Sequence, residues 1–188
     1  VSFTDYAPTF LEAAGLKPLS VMTGMSLLPL LTGRTSRHRD MVFLERERHA
    51  NVRRGNLSYP CRAVRTREFL YIRNLRPDRW PSGDPEKYVA VGPFGDVDGG
   101  PAKDVILNRR DEPEMARFFR LSFEKRPAEE LYDLVKDPGE LNNVADQPSY
   151  AAAKRRLRST LDRWMKETSD PRAASEDDPW DRYPYAGG

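Results

Sequence analysis

The segment ELYDLVKDPGELNNVA, at residues 130–145, constrains the fold more than any other part of the sequence. Leu131 and Leu134, with the tyrosine between them, predict a short β-strand. Asp137 is followed by a proline, and Glu140 stands three residues after Asp137, which is the spacing of a helical capping box. The segment therefore predicts a strand, a turn and the first turn of a helix in quick succession.

Two short helical units are predicted near the N-terminus. Ser2 and Asp5 have capping-box spacing, and the apolar residues after them recur at helical intervals before Gly15. Residues 24–33 form a second apolar unit with a serine that can cap it and a glycine that can end it. Residues 34–40 are polar and predict an exposed linker.

Three later segments predict a sheet that is at least partly antiparallel. Residues 41–48 begin as a buried strand and end in alternating charge, so this strand should run from the core to a rim. Residues 62–73 contain two β-favourable runs around a polar turn, which predicts an antiparallel hairpin. Proline and glycine are frequent through residues 76–101 and predict a long ordered loop without regular elements.

Helical periodicity returns in the last third of the sequence. Residues 111–123 predict one helix, and residues 149–168 predict a long amphipathic helix whose apolar face lies against the sheet. Residues 171–188 have no periodicity, so this tail is expected to be irregular, either disordered or docked through its aromatic side chains.

Composition excludes several classes of protein. The sequence contains 31 Lys and Arg against 29 Asp and Glu, and a net charge of +2 requires neither nucleic acid nor an anionic membrane as partner. The single cysteine, Cys61, excludes an internal disulfide. No apolar run approaches the roughly 18 to 20 residues of a membrane span. Because the sequence opens at Val1 within a predicted helical unit, a fragment is expected whose targeting segment, if any, lies upstream.

Four motifs, in this order, resemble sulfatases of the alkaline phosphatase superfamily. DYAPTFLEAAG at residues 5–15 and GMSLLPLLTG at residues 24–33 are similar to the end of the large α/β domain of sulfatases. RAVRT at residues 62–66 and the segment 130–145 are similar to the hairpin and the signature of their smaller C-terminal domain. The resemblance implies an α+β fold. In that fold, a small antiparallel sheet of about four strands packs against a long C-terminal helix and follows the last helical piece of the larger domain.

The resemblance also implies a domain division and a branch of the family. Residues 1–40 would end the large α/β domain and form a linker, residues 41–170 would be the C-terminal subdomain, and residues 171–188 the irregular tail. SYPCRAVR at residues 58–65, followed by FLYIRNL at residues 69–75, looks most like the sulfamidase branch, the N-sulfoglucosamine sulfohydrolases. The implied activity is hydrolysis of sulfamate or sulfate esters of a glycan, with N-sulfoglucosamine favoured.

Sulfatase chemistry uses a formylglycine residue and a calcium ion, and the resemblance implies that both lie in the N-terminal domain outside this chain. Cys61 lacks the neighbouring proline and serine of the maturation motif, so it is not expected to be the nucleophile. The carboxylates are too scattered to predict a calcium site, which needs about six to eight converging oxygens. This chain alone is therefore expected to be inactive.

Implied partners are the N-terminal catalytic domain of the same protein and a sulfated sugar, with no nucleic acid and no membrane. The location implied by the family is periplasmic or secreted, or lysosomal in an animal.

Glu47, His49 and Arg53 are the predicted substrate-binding residues, and no catalytic or metal-ligating residue is predicted in this chain. They lie in ERERHANVRR at residues 45–54, where a strand leaves the core. A planar guanidinium can hold a sulfate or carboxylate through two hydrogen bonds, and an imidazole can bind a sugar hydroxyl. The sulfamidase branch also has a histidine-containing segment after this strand.

Simpler interpretations stay open. Residues 45–54 could be a solvated strand end with surface ion pairs worth well under about 1 kcal/mol each. His38 is expected to be exposed, Trp80 to anchor its loop to the core, and the basic face of the last helix to be solvated. The chain could also be a non-catalytic module that binds sulfated glycans or other polyanions through residues 46–54, or a nonfunctional structural remnant.

Overall fold

A four-stranded antiparallel sheet forms the centre of the protein, as seen in a computed structural model that describes residues 1–89 and 92–186. Adjacent strands in the sheet are also consecutive in the sequence. The predicted α+β fold is therefore confirmed, including the number of strands and their antiparallel arrangement. The strands are β1 (Val42–Arg46), β2 (Cys61–Arg65), β3 (Phe69–Asn74) and β4 (Glu129–Asp133).

Helices lie before, between and after the strands. The predicted helix at residues 111–123 is present as α4, and the predicted long C-terminal helix is present as α5. α3 was not predicted, because it follows a loop rich in proline and glycine without a capping side chain to mark its start. Among the described residues, no helix is long and apolar enough to span a bilayer. The helices are α1 (Tyr6–Ala13), α2 (Leu28–Leu31), α3 (Pro101–Asn108), α4 (Pro113–Ser122), α5 (Ala151–Glu167) and α6 (Pro171–Ala174).

The main hydrophobic core lies between the sheet and α5. Tyr71 of β3 and Leu131 of β4 are cross-strand neighbours, and both are fully buried. Leu157, Leu161 and Met165 are spaced four residues apart on α5, so one face of the helix covers these strands. Burial of each large apolar side chain stabilises the fold by about 1.5–3 kcal/mol. The apolar face therefore supplies most of the free energy that packs α5 against the sheet.

The segment 130–145 forms β4 and a loop, and the predicted helix start is wrong. Asp137 does act as a cap, since its Oδ2 accepts hydrogen bonds from the backbone N–H groups of Leu141 (2.8 Å) and Asn142 (2.7 Å). However, Glu140 has a φ of 55°, in the left-handed region, so the chain cannot continue as a helix. The Glu140 carboxylate instead pairs with Arg65 of β2 at 2.5 Å.

The end of the same segment protects the outer edge of β4. The side-chain oxygen of Asn143 accepts hydrogen bonds from the N–H groups of Leu131 (2.9 Å) and Ala145 (3.0 Å), and Val144 donates its N–H to the Leu131 carbonyl (2.8 Å). An edge strand otherwise presents unpaired backbone groups to other chains. The polar residues of this signature therefore serve the architecture of the sheet edge.

The expectation that His38 is exposed is wrong. Its side chain is 9% exposed, and its Nε2 lies 3.0 Å from the carboxylate of Asp5, which also accepts from the Nε of Arg39 at 3.0 Å. Ser2 and Met25 donate their N–H groups to the same carboxylate. Burial acts to raise the pKa of Asp5, but these backbone and side-chain hydrogen bonds outweigh it and hold the pKa far below its usual range. One carboxylate thus ties the linker to the start of the first helix.

The tail was expected to be irregular, but two short regular elements lie among its described residues. It contains α6 and a single 3₁₀ turn at Pro179–Arg182. The side chain of Asp170 accepts a hydrogen bond from the N–H of Arg172 and caps α6. Beyond α6, the tail contacts the loops that follow β1 and β3, at Ser58 and Arg79.

We expect Leu161→Ala to lower the free energy of unfolding by about 2–5 kcal/mol. Leu161 is fully buried, so the substitution leaves a cavity where its side chain was. Urea unfolding followed by circular dichroism measures the change. Val135→Ala, at an exposed apolar residue, is the matched control and should shift the value by less than about 0.5 kcal/mol. Similar effects of the two substitutions would contradict the position of the core.

Candidate functional site

The residues after β1 form a closed loop at one end of the sheet. The N–H of Tyr59 donates to the carbonyl of Glu47 at 2.7 Å, so the loop leaves the sheet and returns to it at one point. We call residues 47–59 the rim loop. It contains all three predicted substrate-binding residues, but Glu47, His49 and Arg53 lie in different surroundings within it.

A buried carboxylate, Asp96, gathers basic side chains at the rim loop. It accepts hydrogen bonds from the Nη2 atoms of Arg46 (2.6 Å) and Arg53 (3.0 Å), and the Nδ1 of His49 lies 3.2 Å from its other oxygen. The side chains of Arg46 and His49 are 39% and 72% exposed. Two arginines paired with one carboxylate leave a net positive charge. Of the two guanidinium groups, that of Arg46 is the one exposed to solvent, beside His49.

Arg53 is held inside the protein. Its side chain is 1% exposed, and it donates to the carbonyl oxygens of Trp80 (2.7 Å) and Pro81 (2.8 Å) as well as to Asp96. Burial lowers the pKa of Arg53, and the negative charge of Asp96 opposes this shift. Arg53 therefore joins the rim loop to the loop at residues 80–96.

Backbone hydrogen bonds reinforce this contact. The N–H of Asp84 donates to the carbonyl of Val52 (3.0 Å), and the carboxylate of Asp84 accepts from the N–H of Arg54 (2.8 Å). Gly83 has a φ of 96°, and a Cβ there would lie 2.9 Å from the nitrogen of Gly95, so only glycine fits. These hydrogen bonds fix Val52 and Arg54 of the rim loop against Asp84.

Trp80 packs edge-on against Phe94, with ring centroids 5.7 Å apart. This contact agrees with the anchoring role that the sequence predicted for it. Phe94 also contacts Phe119 and Phe123 of the α4 region, at centroid distances of 6.0 Å and 4.9 Å. A second, smaller aromatic cluster therefore packs Trp80 and Phe94 of this loop against the α4 region.

Glu47 lies in a separate network of buried ion pairs. Its carboxylate accepts from the Nη2 atoms of Arg62 (2.8 Å) and Arg172 (2.7 Å), and Arg62 also binds Asp170 through Nε (2.6 Å) and Nη2 (3.1 Å). Burial acts to lower the pKa of Arg62, but the hydrogen bonds with Asp170 and Glu47 outweigh it and raise the pKa. The carboxylate of Glu47 is therefore committed to two buried guanidinium groups.

Asp178 extends this network into the tail. It pairs with Arg172, with the Nε of Arg76 (2.6 Å) and with the Nη2 of Arg79 (2.8 Å). The guanidinium of Arg172 also lies over the ring of Trp180, 4.8 Å from the centroid. The tail thus docks mainly through charged side chains, with an aromatic ring covering one of them.

A cavity of about 720 Å³ lies beside the network, between the N-terminal residues and the sheet. Its lining combines charged groups with two tryptophans, Trp164 of α5 and Trp180 of the tail. Phe43 of β1 stacks on Trp164 at a centroid distance of 4.7 Å and forms part of the same wall. This combination of aromatic planes and hydrogen-bonding groups is typical of surfaces that bind polar ligands.

Groups suited to covalent or metal chemistry are scarce in the described residues. Burial raises the pKa of the Cys61 thiol, which disfavours the reactive thiolate. No group of three or more His, Cys, Asp and Glu side chains within residues 1–89 and 92–186 could hold a metal ion. The arginine and histidine side chains around Asp96 can bind and orient an anionic ligand.

Comparison with known proteins decides between the interpretations. No protein-family model matches the chain. An ulvan-active sulfatase from Formosa agariphila is 31% identical over 175 residues, which cover 90% of this chain and 26% of the relative. Human N-sulphoglucosamine sulphohydrolase is 29% identical over 189 residues, which cover 94% of this chain and 34% of the relative. The predicted resemblance to sulfatases is confirmed.

The fold is also shared with solved sulfatases. The structure of a 2-O GAG sulfatase matches 96% of this chain and 28% of its own chain, with a TM-score of 0.56 and 20% sequence identity. The chain spans about a quarter to a third of the length of the curated relatives it matches, which is consistent with a C-terminal portion of a sulfatase.

Sequence reasoning located the rim loop but missed the residues that organise it. Asp96 lies among glycines in a segment without periodicity, and no sequence signal pairs it with His49 or Arg53. Asp170 follows a helix end and precedes a proline, which marks it as a cap, but its partner Arg62 is more than a hundred residues earlier.

We expect Arg62→Met to lower the free energy of unfolding by about 3–5 kcal/mol, because it leaves Glu47 and Asp170 without this buried counter-charge. Chemical denaturation measures the loss. Arg37→Ala is the control, since Arg37 pairs with Asp40 at 2.8 Å but both are exposed, and its effect should stay below about 1 kcal/mol. A small loss for Arg62→Met would show that the buried network does not hold the fold.

Acid should weaken the fold through Asp170. Burial acts to raise its pKa, but hydrogen bonds from Arg62 and from the N–H of Arg172 outweigh this and lower the pKa. Such a carboxylate contributes stability that is present above its unfolded-state pKa of about 3.9 and is lost as pH falls through the folded value. Urea unfolding at a series of pH values from about 5 to below 3 should show a smaller loss for Asp170→Asn than for the natural sequence. An identical slope would refute the role of this carboxylate.

Proposed function

We propose that this chain is the C-terminal part of a sulfatase and supplies one wall of the pocket for a sulfated sugar. The observation that carries the proposal is the exposed pair Arg46 and His49, both held by the buried carboxylate of Asp96. The sulfatase names of the two curated relatives, each matched over at least 90% of this chain, support the family activity. The full-length protein would hydrolyse sulfate esters or sulfamates.

The chemistry of this pair suits a sulfated ligand. A guanidinium offers parallel N–H donors that match two oxygens of a sulfate, and an imidazole can donate to a sulfate or a sugar hydroxyl. The hydrogen bonds to Asp96 restrict both side chains before a ligand arrives, which lowers the entropy lost on binding. His49 would contact the substrate directly, whereas Arg53 and Glu47 would act through the loop they hold in place.

N-sulfoglucosamine is the favoured substrate, in keeping with the name of the human relative. The Formosa agariphila relatives are named as ulvan-active, so a sulfate ester of another glycan is the alternative substrate. The formylglycine and calcium of sulfatase chemistry would lie in the rest of the protein, and this chain alone would be inactive. A periplasmic, secreted or lysosomal location fits such a substrate.

The N-terminal residues would dock on that catalytic domain. Phe3 is 86% exposed and Phe10 is 70% exposed, and Val21 and Leu31 extend the same exposed apolar character along residues 1–31. Large apolar side chains exposed in one segment of the chain are typical of an interface with another protein surface. The remainder of the sulfatase is the partner that the proposal assigns to it.

A non-catalytic polyanion-binding module is less well supported. Such binding depends on arginine and lysine charges that are free to displace counterions. Among the arginines of residues 46–54, Arg53 is instead buried, and Arg46, Arg53 and Arg54 are each paired with a carboxylate.

In the full-length protein, we expect His49→Ala and Arg46→Ala each to raise KM for N-sulfoglucosamine by roughly tenfold or more, because each removes a polar contact to the anionic sugar. Steady-state kinetics measure the effect. Arg54→Ala is the matched control, since Arg54 lies in the same loop but pairs with exposed Glu86, and its KM should change less than about twofold.

Two results would contradict the proposal. Unchanged KM in both variants would remove the rim loop from the substrate pocket. Exclusive release of 6-O-sulfate from a glucosamine that carries both groups would exclude the sulfamidase assignment.

A further inference from the structure

The tail covers one side of the rim loop through a specific set of polar contacts. We call residues 178–185 the tail strap. The carboxylate of Asp181 accepts a hydrogen bond from the N–H of Ser58 at 2.7 Å and pairs with the Nη2 of Arg79 at 2.9 Å. Arg79 in turn donates to the carbonyl of Ser58 at 2.9 Å, so both backbone polar groups of this buried residue are held.

A second contact lies further along the strap. The carbonyl oxygen of Tyr183 accepts a hydrogen bond from the Nδ2 of Asn56 at 2.9 Å. The guanidinium of Arg48 donates to the carbonyl of Asn56 at 2.9 Å, reaches the same Tyr183 carbonyl at 3.4 Å, and lies 5.8 Å from the ring centroid of Tyr185. The strap therefore binds the rim loop on both sides of Arg53.

The rim loop has little structure of its own. Within residues 47–59 the only regular element described is the 3₁₀ turn Arg54–Asn56. Its position depends on two supports, which are the loop at residues 80–96 with Asp96 on one side and the tail strap on the other. His49 contacts Asp96 of the first support, and its side chain is exposed to solvent.

We infer that the tail strap, through Asp181, is a positioning element that sets the position of His49 in the sugar pocket. This inference rests on the proposed function of the rim loop. Asp181 touches no substrate in this view. It acts because Ser58 and Asn56 lie on the return limb of the loop, so that releasing them frees the loop to populate other positions.

The test uses Asp181→Ala in the full-length protein with N-sulfoglucosamine as substrate. The variant should raise KM by roughly tenfold and change kcat by less than about twofold, since binding geometry is lost and the reacting groups are not. Asp181→Asn keeps an oxygen that can accept from the Ser58 N–H, and it should bring KM back to within about threefold of the natural value.

Asp177→Asn is the matched control. Asp177 precedes the strap and pairs with Arg182 at 2.7 Å in an exposed ion pair, with no hydrogen bond to the rim loop among the described residues. Its KM and kcat should both stay at the natural values, and a tenfold rise in KM here would overturn the assignment to Asp181.

A purely structural role gives a different result. It would lower the thermal midpoint and the active fraction, so kcat would fall while KM stayed unchanged, and this outcome overturns the inference. If Asp181→Ala does not fold, Asn56→Asp tests the second contact between the strap and the rim loop, because it replaces the Nδ2 donor with a carboxylate facing the Tyr183 carbonyl. Asn56→Asp should also raise KM, and an unchanged KM overturns the inference.

The double variant separates this inference from the proposed function. Because Asp181 acts through His49, the combined rise in KM for His49→Ala and Asp181→Ala should be less than the product of the two single effects. A rise in KM for the double variant that equals the product of the two single rises overturns the inference. If His49→Ala and Arg46→Ala both leave KM unchanged, the proposed site itself fails; if only Asp181→Ala leaves KM unchanged, the positioning role alone fails.

Discussion

The buried guanidinium of Arg62 is the interaction on which the rest of the structure depends. It lies on β2 and binds Asp170, which caps α6 108 residues later, together with Glu47 at the start of the rim loop. Because these charges are removed from water, each requires the others as partners. Arg172 shares Glu47 and carries the same network on to Asp178. Ion pairs therefore hold together the segment after α5, the start of the rim loop and the tail.

The division between the buried network and the exposed rim explains how the loop can serve a site. Arg62 and Arg172 are buried, and their charges are compensated, so they hold backbone in place. Arg46 and His49 share the buried carboxylate of Asp96, and their own side chains are 39% and 72% exposed. Binding residues commonly lie on loops that a rigid scaffold positions. Here the scaffold consists of the sheet, the loop at residues 80–96 and the tail strap.

The sulfatase resemblance and the α+β fold could be predicted, whereas several local interpretations failed for identifiable reasons. The spacing at Asp137 and Glu140 fits a capping box, but the left-handed backbone at Glu140 turns it into a capped loop. His38 lies in a polar run, yet Asp5 draws it into the interior. In each case a tertiary contact overrode a pattern that is equally compatible with two local structures.

Sequence by itself determined the strands, the long helix and the family, because alternation, helical spacing and ordered motifs are local properties of the chain. It also placed Glu47, His49 and Arg53 in one loop. Only the tertiary structure decided what each of them does. With 31 basic and 29 acidic residues, the sequence allows many possible ion pairs, and burial at positions far apart in the chain selects among them. That selection committed Arg53 and Glu47 to the interior and left His49 at the surface.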